Sequence, residues 1–315
     1  MKSAIEIRDL TVKYGKYAAV ENCSLEIYEN EIFGILGPNG AGKSSIMKVI
    51  TGQVSPYSGG ARVWGLDISS NRGEMKKLIG FVPQEYSFGH DFTVGENIDY
   101  LARLYGISGP DLAKRTEEQL SRYLLKDRIN QRAGDLSGGY KRLLNFALST
   151  IHSPKLLLLD EPTVGLDPDI RTKVWDIISG LREAGHTQIL TTHYLEEATF
   201  LCDRLAIIYK GKILVTGTPS SLISQYGGET KIFVVLSKAA ESIVPDIRKI
   251  RGVTSCSSNN DVLISSCLSR DVFKVVSAMN RLIDDEGLEI RENIVKEPTL
   301  DDVFKSIVGA ELGVK

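Results

Sequence analysis

The stretch GILGPNGAGKSS, residues 34–45, restricts the possible folds of this chain more than any other part of the sequence. An apolar run leads into Gly37, further glycines follow at positions 40 and 42, and a helical pattern then continues to Gly52. Glycines at such spacing let backbone N–H groups turn toward an anion, and the positive end of the following helix adds to the attraction. A chance glycine turn would not need a buried strand before it and a helix after it. The stretch therefore predicts a strand, a phosphate-binding loop and a helix.

Residues 37–44 match the pattern G-x-x-x-x-G-K-[ST] of nucleotide-binding phosphate loops. In that pattern Lys43 reaches the β- and γ-phosphates, and Ser44 ligates Mg²⁺. We expect the whole loop and the first turn of the helix to contact ATP. These residues are Gly37, Pro38, Asn39, Gly40, Ala41, Gly42, Lys43, Ser44 and Ser45.

Other short apolar runs indicate the sheet that carries this loop. LIGFVPQ, KLLLLDEP and TQILTTH have the length of buried strands, and helical patterns lie between them. Buried strands with helical crossovers favour an α/β fold, here a P-loop NTPase core with a mainly parallel sheet covered on both faces. SAIEIRDLTVKYG and CSLEIYENE alternate apolar and polar residues, which predicts an antiparallel β edge. The segment between Gln84 and Ser137 lacks strand signals, and we interpret it as a helical insertion.

Polar residues follow several of these runs, at the edge where open α/β sheets bind ligands. Asp160 can hold Mg²⁺ directly or through water, and Glu161 can polarise an attacking water. Gln84 can bond Mg²⁺ or the water, and His193 can bond the γ-phosphate. Singly, each is more often a cap or a plain loop residue, but the phosphate loop favours the functional interpretation. Tyr14 can stack on a base, although a packed aromatic at a strand end fits the chemistry equally well.

A second glycine turn, Leu136-Ser137-Gly138-Gly139, opens another helical pattern about a hundred residues after the phosphate loop. Ser137 fits an N-cap, and the two glycines would let bare backbone N–H groups approach a phosphate. An ordinary glycine-containing N-cap is the simpler alternative. The turn is therefore a second candidate anion site.

Together these motifs resemble the ATP-binding subunit of ABC transporters over about Ser3 to Gln225. LSGG about twenty residues before LLLLDEP is highly specific to that family, whereas the phosphate loop is shared by many NTPases. The family commonly has glutamine where this chain has Tyr140, which is a departure at the last contact of the turn. The matching motifs are Tyr14, Gly37–Ser44, Gln84, Leu136–Tyr140, Leu156–Glu161, Gly165-Leu166-Asp167 and His193.

The resemblance implies that two such domains pack head to tail, so that one subunit's phosphate loop and the other's glycine turn enclose each ATP. This explains why one chain carries two anion-binding turns. The resemblance assigns adenine stacking to Tyr14, Mg²⁺ binding to Ser44, Gln84 and Asp160, and catalysis to Glu161, His193 and Gln84. It assigns contact with the partner's ATP to Leu136, Ser137, Gly138, Gly139 and Tyr140. Asp167 is assigned to the seam between the subunits.

The pattern changes after SQYGGETK, a linker candidate. We expect an ATP-binding domain over residues 1–227, with a helical subdomain over about 85–150, and a small α+β accessory domain over 228–315. The accessory domain could act as a dimerisation clamp, a regulatory ligand domain or a shield over the nucleotide edge. Its predicted order is βαββαβ, as in ferredoxin-like domains, with strands at 231–236, 253–257, 262–265 and 288–293, helices at 238–250 and 270–286, and a last helix after Pro298.

The closing segment EPTLDDVFKSIVG resembles ATPases of the drug- and polysaccharide-exporting branch, which pair with a separately encoded membrane permease. No apolar run approaches the roughly 18 residues of a spanning helix, and the start predicts no signal peptide. The four cysteines lack CxxC spacing, which is typical of reduced, cytosolic thiols. We therefore expect a cytoplasmic protein on the inner face of the membrane, and a net charge of −2 argues against nucleic-acid partners.

The sequence thus predicts an ATP-hydrolysing subunit, most simply a homodimer, that powers an exporter. A soluble ABC-type ATPase of translation or DNA repair is the main alternative. Such proteins usually carry two ATP domains or a long coiled coil, and this chain shows neither pattern. A nucleotide sensor without turnover is disfavoured because Glu161 and His193 are both present.

Overall fold

The computed structural model describes residues 2–239 and 241–311 and divides into two compact units, Met1–Pro219 and Ser220–Lys315. The division falls at the start of a helix over Pro219–Tyr226, whereas the sequence analysis places the junction after that helix. The predicted domain ends at Met1 and at residues 312–315, together with Ala240, lie outside the described residues.

The first unit contains ten strands and seven α-helices among its described residues. In chain order they are β1 (Ser3–Tyr14), β2 (Tyr17–Tyr28), β3 (Ile32–Leu36), α1 (Lys43–Ile50), β4 (Ser58–Val63), β5 (Leu66–Asp67), α2 (Arg72–Leu78), β6 (Ile79–Val82), α3 (Val94–Leu104), α4 (Gly109–Arg122), α5 (Gly138–Thr150), β7 (Leu156–Asp160), α6 (Pro168–Glu183), β8 (Thr187–Thr192), α7 (Leu195–Leu201), β9 (Arg204–Tyr209) and β10 (Lys212–Gly217).

A six-stranded sheet with the order β10-β9-β3-β8-β7-β6 forms the centre of this unit. Strands β9, β3, β8, β7 and β6 are parallel, and only the pairing of β10 with β9 is antiparallel. Every residue of β3, β7 and β8 is buried, as expected for strands covered by helices on both faces. The predicted parallel sheet is confirmed.

The sheet order determines which loops meet at its carboxyl edge. Gly37 follows β3, Gln84 lies beyond β6, Glu161 follows β7 and His193 follows β8. Because β3, β8, β7 and β6 are consecutive neighbours, all four loops emerge side by side. Ligands of open α/β sheets bind at this edge.

The predicted antiparallel region is also confirmed, and it forms a sheet of its own with the order β2-β1-β4-β5. Helix α1 supplies its apolar side to a core shared by strands of both sheets. Ile5 and Ile27 from the antiparallel sheet, Met47 from α1, and Ile35 and Leu158 from the parallel sheet belong to this one buried cluster. Both ends of the phosphate loop are thereby anchored in a common core.

Helices α3, α4 and α5 form the expected helical insertion between β6 and β7. Thr93 and Glu96 form a capping box that starts α3: each side chain accepts the other residue's backbone N–H. Buried Tyr123, just after α4, hydrogen bonds through its hydroxyl to Thr150 of α5 at 2.8 Å. These contacts fix the helices that lead into the second glycine turn.

After α8 (Pro219–Tyr226), the second unit contains β11 (Thr230–Leu236), α9 (Val244–Ile247), β12 (Val253–Asn259), β13 (Val262–Cys267), α10 (Val272–Asp285), β14 (Ile290–Lys296) and α11 (Leu300–Glu311). Its antiparallel sheet has the order β12-β13-β11-β14, the ferredoxin-like arrangement of a βαββαβ chain. Alternate residues of β11, Ile232, Val234 and Leu236, face a core that includes Val275 and Met279 of α10.

The helix predicted over residues 238–250 is wrong in length. Only α9 is helical there, after a 3-10 turn over Glu241–Ile243, and Ala240 lies outside the described residues. Pro245 explains the difference, because proline fits the first turn of an α-helix but breaks its interior. Across residues 2–239 and 241–311, every helix is too short or too polar to cross a membrane.

Burial of the His186 ring sets a pH dependence of stability. Its Nδ1 lies 2.6 Å from the carbonyl oxygen of Pro154, and burial lowers the pKa of His186 below its ordinary value of 6.5. The unfolded chain therefore binds the proton more readily, so this contribution to the free energy of unfolding is present above about pH 6.5 and is lost as the pH falls. We expect His186→Gln to lose less melting temperature than the wild type when acidified from about pH 7.5 to about pH 5.5.

Thermal melts followed by circular dichroism at the two pH values measure this difference. The control His90→Gln, which replaces an exposed imidazole, should follow the wild type. Equal losses in the wild type and in His186→Gln would contradict the assignment.

Candidate nucleotide-binding site

Positions 37, 40 and 42 of the phosphate loop require glycine. Gly40 and Gly42 have φ angles of 79° and 110°, in the left-handed region that other residues rarely adopt. A Cβ atom on Gly42 would lie 2.3 Å from the carbonyl oxygen of Ala19, and one on Gly37 would lie 2.3 Å from that of Ile208. Gly42 is also the N-cap of α1 and supplies no side-chain cap, which leaves the helix terminus open to an anion.

Lys43, Glu161 and His193 come together behind this loop. The Lys43 ammonium is buried, donates to the carbonyl oxygens of Gly37 at 2.9 Å and Pro38 at 3.1 Å, and lies 3.1 Å from Glu161 Oε1. His193 Nδ1 lies 3.3 Å from the same carboxylate oxygen but lacks hydrogen-bond geometry toward it. The structure thus joins three strand-end loops through one carboxylate.

Glu161 is held in an unusual backbone conformation. Its φ is 47°, and its backbone N–H lies 3.1 Å from both the carbonyl oxygen and the hydroxyl of Thr191. A left-handed backbone conformation costs a glutamate energy that the surrounding structure must compensate. Such strain is concentrated at functional sites. The side chain is buried, so its carboxylate is aimed rather than free to rotate in solvent.

Asp160 and Ser44 form the oxygen-rich side of the site. The Ser44 hydroxyl donates to Asp160 Oδ1 at 3.1 Å, and the Thr191 hydroxyl donates to the same oxygen at 2.5 Å. Hydroxyl and carboxylate oxygens suit Mg²⁺, which usually takes few protein ligands and completes its shell with water and phosphate oxygens. In the described part of the chain no cluster of three His, Cys, Asp or Glu residues could hold a metal alone. The donor set therefore fits a Mg²⁺ ion that arrives with a nucleotide.

The phosphate loop, Gln84 and Glu161 border a cavity of about 390 Å³ at the carboxyl edge of the parallel sheet, whereas Asp160 and His193 are not among the lining residues. Tyr14 is 45% exposed at its rim, beside Tyr17, with which it pairs across the hairpin. Either ring presents a face on which a base could stack. The lining residues are Tyr14, Tyr17, Ala19, Asn39, Gly40, Gly42, Lys43, Ser44, Ser45, Gln84 and Glu161.

The second glycine turn is built as expected at the start of α5. Ser137 is the N-cap, with φ −63° and ψ 160°, and its side chain makes no cap hydrogen bond. Gly139 packs closely on α6, where a Cβ would lie 2.9 Å from Ile170. Tyr140 lies under the guanidinium of Arg128, 3.8 Å from the ring centroid, and Leu136 is buried.

Residues 136–140 are not among those that line the nucleotide cavity within the described part of the chain. The structure therefore does not bring the two glycine turns of one chain to one site. Asp167 is the N-cap of α6, and its Oδ1 accepts the backbone N–H of Ile170 at 3.0 Å. Its assignment to a subunit seam stays a prediction.

Sequence reasoning missed three residues at this edge of the sheet. Thr191 hydrogen bonds to both Asp160 and Glu161, and its signal was a hydroxyl residue after the apolar pair Ile189-Leu190, near the carboxyl end of a predicted strand. Tyr17 is the second exposed aromatic of a hairpin tip. The third, Arg142, contacts the loop after β6 and has no local sequence signal that separates it from any other helical arginine.

Comparison with known proteins identifies relatives over the whole chain. A family model described as ABC transporter matches residues 20–164. The chain is 34% identical over 308 residues to the linearmycin resistance ATP-binding protein LnrL of Bacillus subtilis (strain 168), which covers 98% of this chain and 99% of that protein. It is 32% identical to the daunorubicin resistance ATP-binding protein DrrA3 of Streptomyces coeruleorubidus, over 99% and 98% of the two chains.

A third relative is the Nod factor export ATP-binding protein I of Rhizobium etli, 34% identical over 98% of this chain and 95% of that protein. Among solved structures, an ATP-binding subunit of an ABC transporter superposes with a TM-score of 0.65 at 25% identity. The superposition covers 71% of this chain and 93% of that one.

Removal of the Lys43 ammonium should abolish tight nucleotide binding. Lys43→Ala loses a charged donor to the phosphates and leaves buried Glu161 without its cation. We expect the affinity for a fluorescent ATP analogue to fall at least about tenfold, the equivalent of one charged hydrogen bond. Lys48→Ala, an exposed lysine on the same helix, is the matched control. Unchanged affinity in Lys43→Ala would remove Lys43 from the site.

Proposed function

Because the chain belongs to the ABC transporter family of ATP-binding subunits, which hydrolyse ATP, we propose that it powers an exporter whose membrane permease is a separate chain. The observation that carries this proposal is the pair of separated anion-binding turns, at residues 37–44 and 136–140, in one chain. Relatives of nearly identical length, named for drug resistance and for Nod factor export, support the direction of transport.

In this proposal the loop over residues 37–45 cradles the phosphates of ATP, and Tyr14 stacks on adenine at the rim of the cavity. Lys43 exchanges its pairing with Glu161 for the β- and γ-phosphates. Ser44 and Gln84 would hold Mg²⁺, with Asp160 supporting it through water. When bound, Mg²⁺ neutralises charge that develops on the phosphates.

Glu161 acts as the general base. Its carboxylate takes the proton of the water that attacks the γ-phosphorus, and the bond to the oxygen of ADP breaks. The fixed left-handed backbone of Glu161 and its contact with Thr191 aim the carboxylate at the cavity. His193, whose Nδ1 lies 3.3 Å from that carboxylate, would hold the γ-phosphate. Catalysis then rests on positioning and charge stabilisation, as in other NTPases.

Closure of the site requires a second subunit, most simply another copy of this chain. Leu136–Tyr140 of that copy would cover the γ-phosphate with the open N-terminus of α5, since Ser137 leaves its hydroxyl and the first-turn N–H groups uncapped. Asp167, at the start of α6, would lie at the seam between the two sites. ATP offers contacts to this closed dimer that ADP lacks, so ATP shifts the population toward closure.

Loss of the general base should trap the closed dimer. Glu161→Gln removes the carboxylate but keeps its size, and the neutral amide no longer competes for Lys43. We expect it to release little phosphate and to double its mass in light scattering with saturating Mg-ATP, while remaining monomeric with Mg-ADP. A monomer at saturating Mg-ATP would contradict the sandwich.

We assign the permease contact to the groove between the parallel sheet and the helical insertion. This groove, about 270 Å³, is lined by Phe81 and Pro83 near Gln84 and by Leu101, Tyr105 and His152. Beside it, α3 presents Tyr100, 58% exposed, and Leu104, 64% exposed. A permease segment in the groove would lie next to the loop of Gln84 and would respond to its movement. In this proposal the chain binds its permease at the cytoplasmic face of the membrane.

Recovery of the membrane partner tests this assignment. Tagged Glu161→Gln protein, pulled down with Mg-ATP from gently solubilised native membranes, should bring a stoichiometric polytopic membrane protein identified by mass spectrometry. Adding Leu104→Glu should reduce the yield of that protein about tenfold, since it buries a charge in an apolar contact. Leu268→Glu, the same change at an exposed leucine of the second unit, should not. An eluate rich in ribosomal or DNA-bound proteins would contradict the transporter assignment.

A further inference from the structure

Side chains on one face of α5 form hydrogen bonds to the loop that contains Gln84. Arg142 and Asn145 are three residues apart and therefore lie on the same side of the helix. The Arg142 guanidinium donates to the carbonyl oxygens of Pro83 at 2.6 Å and Gln84 at 2.7 Å. The Asn145 side chain donates to the carbonyl oxygen of Glu85 at 3.2 Å and accepts the backbone N–H of residue 87 at 3.1 Å. We call these two side chains the α5 clasp.

Arg142 is a costly residue for this position. It is only 3% exposed, and it forms no ion pair among the residues that the structure describes. Burial lowers the pKa of Arg142. Its charge is stabilised by the two loop carbonyls, by Tyr86, whose ring lies 5.6 Å away, and by the charges of Asp160 and Glu197. A planar guanidinium can donate to two adjacent carbonyls at once, and this geometry fixes the peptide groups before and after the Cα atom of Gln84.

The same loop is tied to the second glycine turn itself. The hydroxyl of Tyr86 donates to the carbonyl oxygen of Gly138 at 3.2 Å. Gly138 is the first residue of α5, directly after Ser137. The loop is thus bonded to α5 at its N-terminal turn and along its next turn.

Satisfaction of buried backbone groups is a sufficient reason for side chains such as Asn145 to exist. It does not explain why the clasp joins these two segments. At one end of it, Gln84 lines the nucleotide cavity of its own chain. At the other end, Ser137 and Gly138 are exposed and are not among the residues that line that cavity.

We propose that Arg142 and Asn145 are positioning residues that make the Gln84 loop and the N-terminal turn of α5 move as one body. The inference rests on the proposed function, in which these two segments serve different ATP molecules of a dimer. A change at the γ-phosphate sensed by Gln84 in one site is then passed through the clasp to the glycine turn that covers the other site. Arg142 is not among the residues that line the nucleotide cavity, so it would act through the loop.

Arg142→Lys tests the proposal with charge and length nearly preserved. A lysine is a point donor that cannot satisfy both carbonyls in the fork geometry. We expect kcat for ATP hydrolysis to fall about tenfold, the equivalent of one charged hydrogen bond, with mant-ADP affinity within about twofold of the wild type. In Arg142→Met, which removes the cation, kcat should fall further. Ser149→Ala is the matched control, because it deletes a bond of the same kind from the same helix, to Phe81 inside β6.

A merely structural role would lower the melting temperature and nucleotide affinity together with kcat, and that result would overturn the proposal. So would unchanged kcat in both Arg142 variants. Failure of the proposed function looks different: the wild type itself would release no phosphate, or Glu161→Gln would not dimerise with Mg-ATP.

Distances between spin labels test the rigid link directly. The four native cysteines are buried, so cysteines introduced at Glu85, Lys141 and Lys48 can be labelled selectively in the Glu161→Gln chain. Between Mg-ADP and Mg-ATP, the 85–141 distance should stay constant while both distances to residue 48 of α1 change. With Arg142→Met the 85–141 distance should change as well. A change of that distance in the chain with Arg142 intact, or constant distances to residue 48, would overturn the proposal.

Discussion

The contact of bare glycine backbone with neighbouring carbonyl oxygens is the constraint on which the site depends. Gly37 and Gly42 lie so close to the carbonyls of Ile208 and Ala19 that no side chain fits. The loop is thereby fixed between β9 and β2, which belong to different sheets. Lys43 follows Gly42 directly. Its ammonium therefore lies at the carboxyl edge of the parallel sheet, where it pairs with Glu161 just after β7. The chemistry follows from this one packing arrangement.

The two glycine turns of the chain differ in their relation to the nucleotide cavity. The phosphate loop and the turn at Ser137 both open a helix with an uncapped N-terminus, yet only the first lines the cavity. A helix terminus with unsatisfied N–H groups attracts an anion. Two such termini in separate places are explained economically if each completes a site with its counterpart in another subunit. The α5 clasp then gives that arrangement a means of communication within each subunit.

Much of the fold could be predicted because its signals are local. The buried strand before Gly37, the helical pattern after Gly42 and the apolar run before Asp160 each depend on neighbours within a few residues. One feature depends on contacts between segments that are distant in sequence, and it escaped prediction. The bonds of Arg142 to the loop after β6 cross between distant segments, and no periodicity announces them. The helix predicted over residues 238–250 was too long for a local reason, because Pro245 fits the first turn of α9 but not the interior of a longer helix. Contacts between distant segments, such as those of Arg142, become visible only in the folded structure.

Complementation between two inactive variants tests the shared site most directly. Glu161→Gln lacks the base but keeps its glycine turn. Gly138→Asp keeps the base but repels phosphate, and it should fold, because the nearest atom to its Cβ is the Tyr86 hydroxyl at 3.4 Å. Each variant alone should release almost no phosphate. An equal mixture should recover up to about a quarter of wild-type activity, since half of randomly assorted dimers carry one complete site of two and trapped Glu161→Gln homodimers lower that share. A mixture as inactive as its parts would contradict the account.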